Sequence, residues 1–240
     1  LYSIGFKLST ILSLGFIEPF RKTWPAIFFP KAQDGDAKEV FSRFATYFLL
    51  AGSIVSVFII CISDHLIQLM GSREYWNAYA VVPILVSSVL IHGFQATINL
   101  GLFVKNKTKY APLIVICGAV SNIVFNALLI PRYGMIGAGT GTMLSHIVML
   151  VLTYGINQKI YPIHYEYRRL SQLALAYIFI WIVNYSVHIQ SFWWAIPFKA
   201  ILFVSFILIL FITRFFTDRE LEVMKETYLK YSSLVLKRAG

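Results

Sequence analysis

The sequence predicts an all-α fold, a polytopic bundle of about seven transmembrane helices. Three observations carry that expectation. The 240 residues are 58% hydrophobic and 13% charged, where a soluble domain has about a quarter charged residues. Mean hydropathy is +0.70, which excludes disorder, since disorder combines low hydrophobicity with high charge. The cations behind the net charge of +10 are spread between long apolar runs. A nucleic-acid binder of pI 9.6 would gather them on one soluble face, so no nucleic-acid partner is expected. The runs do not alternate as the strands of a membrane β-barrel do.

A spanning helix needs about 20 mostly apolar residues. Seven segments meet this, at 1–30, 42–70, 78–104, 110–131, 134–157, 171–189 and 192–216. The first five form one unit, 1–157. A cytoplasmic loop (158–170), two further spans (171–217) and an amphipathic tail (218–240) follow. In the first span Pro19 and Pro25 are expected to bend or break the helix. In the tail, Leu221, Met224, Tyr228, Tyr231 and Val235 recur at three- and four-residue steps. That spacing reads equally as an interfacial helix or as a solvated tail. Cys61 and Cys117 lie inside apolar runs and behave as small hydrophobes. The chain opens on Leu1 and enters an apolar segment with no signal-peptide features, which reads as a fragment of a longer protein.

Lysine and arginine placement orients the bundle. Lys31, Lys38, Arg43, Lys105, Lys107, Lys109, Lys159, Arg168 and Arg169 fall in loops on one side. Arg214, Arg219, Lys225, Lys230, Lys237 and Arg238 follow the last span on that same side. The opposite loops hold only Arg73 and Arg132. The positive-inside rule places the cation-rich side in the cytoplasm and Leu1 on the outer side. Phe192, Trp193 and Trp194 sit at the outer interface as an aromatic belt.

Ionisable groups inside an apolar span cost about 2.5–3.5 kcal/mol each on insertion scales, so they face a cavity or a partner. Lys7, Glu18, Arg21 and Lys22 lie in the first span. At 100° per residue they share about 100° of arc. One reading is a water-filled cavity with a net positive wall, suited to a phosphate or another anion. The other is that the cations snorkel to the interfaces while Glu18 neutralises one of them. Ser88, His92, Gln95 and Asn99 form a second polar stripe in the third span. They either line a hydrophilic path or hydrogen-bond to a neighbouring helix. His92 reads as a packing hydrogen bond or a proton relay; His146 stands alone.

Nothing here assembles a catalytic centre. Glu18 reads as the one buried acid, and no metal motif, Gly-rich phosphate loop or dinucleotide fingerprint occurs. Asp64, His65 and Glu74 read as a solvated outer loop, and Asn184-Tyr185-Ser186 as a chance sequon. No enzyme activity, metal or cofactor is expected.

From Tyr75 to Tyr167 the chain carries a pattern. Tyr75-Trp76-Asn77-Ala78 precedes Pro83 and Leu85, and Lys105-Asn106-Lys107-Thr108-Lys109 fills the next loop. Then Asn122, Asn126, Pro131, Gly134, Gly137, Ala138, Gly141 and Thr142 cross between two spans. Asn122 and Asn126 share a face. Pro131 and Gly134 make a tight outer turn. Gly137 and Gly141 form a small-xxx-small pair for close packing, so the stretch reads as structural.

This pattern resembles the Wzx-type polysaccharide and O-antigen flippases of the MATE-like superfamily of multidrug and oligosaccharidyl-lipid exporters. It extends weakly to Tyr2-Ser3-Ile4-Gly5, Pro19-Phe20 and Trp24-Pro25. The resemblance implies helices 8–14 of a fourteen-helix exporter, with a partner lobe earlier in the same chain. It also implies alternating access that carries an undecaprenyl-diphosphate-linked oligosaccharide across a bacterial-type inner membrane for surface polysaccharide synthesis. The cationic face would hold the diphosphate or acidic sugars and the polar stripe would meet sugar hydroxyls. Glu18 and His92 are the candidates for ion coupling. A cation-coupled multidrug exporter of the same superfamily is the first alternative, although a cationic cavity repels cationic drugs. A membrane glycan polymerase or ligase is the second; it would need large outer loops. A structural membrane subunit is the third.

Overall fold

The structure, a computed structural model, describes residues 2–32, 34–70, 78–187, 192–223 and 225–227. The chain is an all-α helical bundle, and among the described residues no strand occurs. Helices α1 (Tyr2–Leu12) and α2 (Glu18–Lys31) are joined by a π turn over Ser13–Ile17. Then come α3 (Ala37–Met70), α4 (Val82–Ile98) and the short α5 (Leu100–Val104). A long element, α6 (Tyr110–Ile160), precedes α7 (Tyr167–Ser186) and α8 (Phe192–Ile212).

The first span is not broken at its prolines; Pro25 and Pro30 sit inside α2. The disturbance is the π turn just before Pro19, where the Glu18 N–H bonds to the Ser13 carbonyl. Pro19 has no N–H and its ring clashes with the carbonyl four residues back. Widening the turn relieves that crowding. It also re-phases the helix by roughly 100°. The buried face changes from Gly5, Leu8, Ser9 and Leu12 to Ile17, Trp24 and Phe28. The shared arc expected for Lys7, Glu18, Arg21 and Lys22 therefore does not survive.

α6 is two helices, since Gly134 (φ 52°, ψ −123°) breaks it. Those angles fit the first central position of a type II′ turn, which glycine alone adopts without strain. The arms fold back on each other: Asn122 donates to Ser145 Oγ at 3.1 Å, and a side chain at Gly141 would strike Asn126. Each arm is long enough to cross a bilayer by itself, so the two spans expected at 110–131 and 134–157 stand as a hairpin.

α3 is the central strut. Its 34 residues run about 50 Å and contribute to three core clusters. Phe48, Ile59, Ile60 and Ile67 pack with α1 and α4. Phe41 and Ala45 meet Trp24 and Phe28 of α2 and Tyr161, Ile163 and Tyr165 of the loop. Val57 and Cys61 pack against Leu173, Ala176 and Ile180 of α7 and Leu202, Phe206 and Leu210 of α8. α4 is buried on most sides, against the second arm of the hairpin, α1 and α3.

Apolar side chains also cover the perimeter. Ile123 is 68% exposed, Leu175 68%, Ile201 68% and Ile212 80%. Among the described residues four helices are long and apolar enough to cross a membrane, counting α6 as one. The cation-rich segments gather at one end of the bundle: Lys38 and Lys105 both lie over the Tyr161 ring, and Ser42 donates to the His164 carbonyl. The Gly134 turn is at the other end. The tail begins as a helix after Thr217, with the Thr217 N–H bonded to Glu220 at 2.8 Å, half of a capping box. Leu221 and Val223 are exposed there. Met224, Tyr228, Tyr231 and Val235 lie outside the described residues.

Candidate functional site

The π turn and α2 bring one wall of a cavity of about 330 Å³, lined by Phe20, Arg21, Trp24 and Pro25. α4 brings His92, Gln95, Ala96, Thr97 and Asn99, and Phe103, Ala111, Val115 and Met149 close it. Arg21 and the polar stripe of α4 thus meet on one space. Glu18 accepts from the Arg21 guanidinium at 2.9 Å; the side chains are 29% and 54% exposed. Such a pair is held loosely, and an incoming anion competes with Glu18 for the guanidinium donors. Lys22 is exposed, and neither it nor Glu18 is among the residues that line the cavity. Lys7 is exposed on the far side of the re-phased helix and does not line the cavity.

The α4 stripe divides its work. Ser88 is buried and turned to α6, 2.8 Å from His146 Nδ1. Gln95 touches the cavity but donates to Thr153 Oγ1 at 2.8 Å. His92 and Asn99 are the freer members, and Asn99 Oδ1 is buried without a hydrogen-bond partner. His146 does not stand alone. Its ring stacks on His92 with centroids 4.7 Å apart.

The glycine–asparagine pattern builds the hairpin. Asn126 donates to Asn122 Oδ1 at 3.0 Å, and Asn122 reaches Ser145 and Thr142 across the arms. Gly137 lies against the Leu129–Ile130 backbone and Gly141 against Asn126. Pro131 and Gly134 sit at the turn between the arms. None of these six residues lines the cavity. No protein-family model, curated protein or solved structure matches the chain.

Two polar clusters emerge that the sequence reading missed. Lys199 of α8, 7% exposed, donates to Asp64 Oδ2 at 2.9 Å and to Asn184 Oδ1 at 2.5 Å. Asp64 is therefore a helix residue in an ion pair, not part of a solvated loop, and Glu18 is not the sole partly buried acid. Glu74 lies outside the described residues. Asn184 is buried in the same cluster, which removes it as a glycan acceptor.

The second cluster surrounds Arg169, 8% exposed. Glu166 and Glu220 bind its guanidinium at 3.0–3.2 Å, and Phe215 lies 4.6 Å beneath it. Tyr47 donates to Glu220. Burial disfavours the Glu220 charge, yet the Tyr47 hydroxyl, the Thr217 N–H and Arg169 together hold its carboxyl below the ordinary value. Among the described residues no group of His, Cys, Asp and Glu could hold a metal ion.

Proposed function

We propose that the chain is the C-terminal part of a transporter that flips undecaprenyl-diphosphate-linked oligosaccharide across a bacterial-type inner membrane by alternating access. The observation that carries this reading is the meeting of Arg21 with His92, Gln95 and Asn99 around one cavity inside an apolar perimeter. Arg21 exchanges Glu18 for the diphosphate, with Lys22 supplying the excess positive charge. Asn99 Oδ1, buried without a partner, accepts from a sugar hydroxyl. Phe103, which is exposed at the cavity, offers flat apolar surface to a sugar ring. The isoprenoid stays in the bilayer against the exposed aliphatic side chains. No covalent bond changes, so the chain acts as a carrier, not as an enzyme.

In this reading the cation-rich end faces the cytoplasm, by the positive-inside rule. A second lobe of the same protein covers the Arg21–Lys22 side. The test is glycan export in cells whose only copy of the full-length protein carries a substitution. Arg21→Ala lowers export at least about tenfold, the scale of one lost charge-assisted bond of about 1.5–3 kcal/mol, while Lys7→Ala leaves it near wild type. Normal export by Arg21→Ala, at normal protein levels, removes the cavity from the mechanism.

A further inference from the structure

We propose that a groove between α4, the second arm of α6 and α7 holds one acyl chain of an anionic glycerophospholipid, taken from the leaflet at the cation-rich end. The proposal requires a bilayer around the bundle and stands apart from the anion-cavity reading. The groove has two chambers. The deeper, of about 520 Å³, runs from Trp181 to Leu170 along α7. The shallower, of about 230 Å³, continues to Tyr154 and Tyr167. They meet at Phe94, Leu150 and Leu170, which line both. Ile178, Val151 and Tyr167 are exposed along its length, so the groove opens sideways to lipid.

The polar residues of the deeper chamber are Ser53, Ser87, Tyr177 and Trp181. Ser87 donates to the Pro83 carbonyl at 2.6 Å, so Tyr177 is the donor in the 2.9 Å bond between them. Both hydroxyl protons are spent, which leaves the Ser53 hydroxyl and the Trp181 indole, on different helices. A buried water needs about two to four polar partners, so the chamber does not hold a file of water. Left empty, its walls forfeit dispersion contacts. Hydrocarbon is the filling that fits.

The length selects the chain. Met143 to Tyr154 of the second arm rises about 17 Å, and one leaflet contributes about 15 Å of hydrocarbon. That depth takes a single acyl chain, and an undecaprenyl chain would overrun it. At the interfacial end the Tyr154 and Tyr167 hydroxyls lie 2.6 Å apart, and Tyr167 accepts from Gln158 at 3.4 Å. One hydroxyl proton closes the pair. The other is left for an ester carbonyl, which only accepts. Arg168 follows Tyr167, Lys159 follows Gln158, and both are exposed. Glu166, the nearby acid, is already bound to Arg169. The charge at the mouth therefore favours an anionic headgroup.

The probe is phosphatidylglycerol with a diazirine midway along one acyl chain, photolysed with the full chain in phosphatidylcholine nanodiscs and mapped by mass spectrometry. Labelling at Ile147 and Leu170 in the groove is expected to exceed that at Ile123 and Ile201 on the perimeter at least about fivefold. Unlabelled phosphatidylglycerol suppresses the excess, and the same diazirine on phosphatidylcholine does not produce it. Ala174→Trp, which fills the deeper chamber, brings groove labelling down to the perimeter level. Tyr154→Phe combined with Tyr167→Phe leaves the hollow intact and lowers the excess about three- to tenfold. Equal labelling of groove and perimeter in wild type overturns the site, as does an excess unchanged in both variants. An equal excess with the phosphatidylcholine probe overturns the anionic headgroup. Suppression by undecaprenyl phosphate and not by phosphatidylglycerol gives the groove to an isoprenoid and overturns the acyl chain.

Discussion

The Lys199 ammonium sits inside α8 with Asp64 and Asn184 filling two of its three donor positions. Breaking a buried ion pair on one side leaves the other charge stranded, at about 3–5 kcal/mol when burial is complete. Asp64 is 28% exposed, so solvent takes up part of the loss. Lys199→Met is expected to destabilise the bundle by about 1–3 kcal/mol. Adding Asp64→Leu to Lys199→Met should recover most of it, read by thermal unfolding in detergent. A further loss in the double variant would show that Asp64 had found another partner. The sequence gives no sign of this contact, because its members come from three helices and each alone resembles an interfacial residue. His146 reads as solitary in the sequence for the same reason: its partners His92 and Ser88 lie on α4. Arg21, Glu18, His92, Gln95 and Asn99 were legible, since charge or repeated polarity in an apolar run is visible one segment at a time.

Elements were legible where composition marks their ends. The Pro131–Gly134 stretch announces a turn, and the hairpin has it at Gly134. There the backbone angles φ 52° and ψ −123° exclude a Cβ at a cost of about 1–3 kcal/mol. Gly141 is constrained differently, by Asn126 of the opposite arm. Gly134→Ala should therefore cost about 1–3 kcal/mol through the backbone alone. Gly141→Leu should cost a similar amount by overpacking, and also separate the arms. A disulfide between cysteines placed at Asn122 and Ser145 reads the separation: it should form readily in the Gly134→Ala background and slowly with Gly141→Leu. Equal cross-linking in both would put the two glycines in one role. The π turn, by contrast, has no compositional mark. A widened turn leaves hydrophobicity unchanged while rotating everything after it, so Lys7 was grouped with Arg21 by a phase the helix does not keep.

At the scale of the molecule, three sequence-distant segments are tied at the cation-rich end: Tyr47 of α3, Glu166 and Arg169 at the start of α7, and Glu220 of the tail. The depressed Glu220 carboxyl sets a sign. Its contribution is full above the ordinary value of 4.5 and is lost as pH falls through the lower folded value. Hydrogen exchange at Thr213–Val223, corrected for intrinsic rate, should quicken across that acidic window. Glu220→Gln should show the quickened exchange already at neutral pH. Unchanged exchange in the variant would mean that Phe215 packing alone holds the segment. Charge placement had counted Arg169 among the residues that orient the bundle. Its position at that end was right, but its burial was hidden until Glu166 and Glu220 were seen beside it.

The Arg169 cluster also orders events in time. Synthesis runs from the N-terminus, so Tyr47 and Arg169 leave the ribosome while Glu220 is still unmade. Arg169 has Glu166 and Tyr47 beside it before Glu220 exists. Glu220 reaches it only once α7 has run out along the bundle and α8 has come back. Closing the cluster thus reports, once per molecule, that the last two helices have paired.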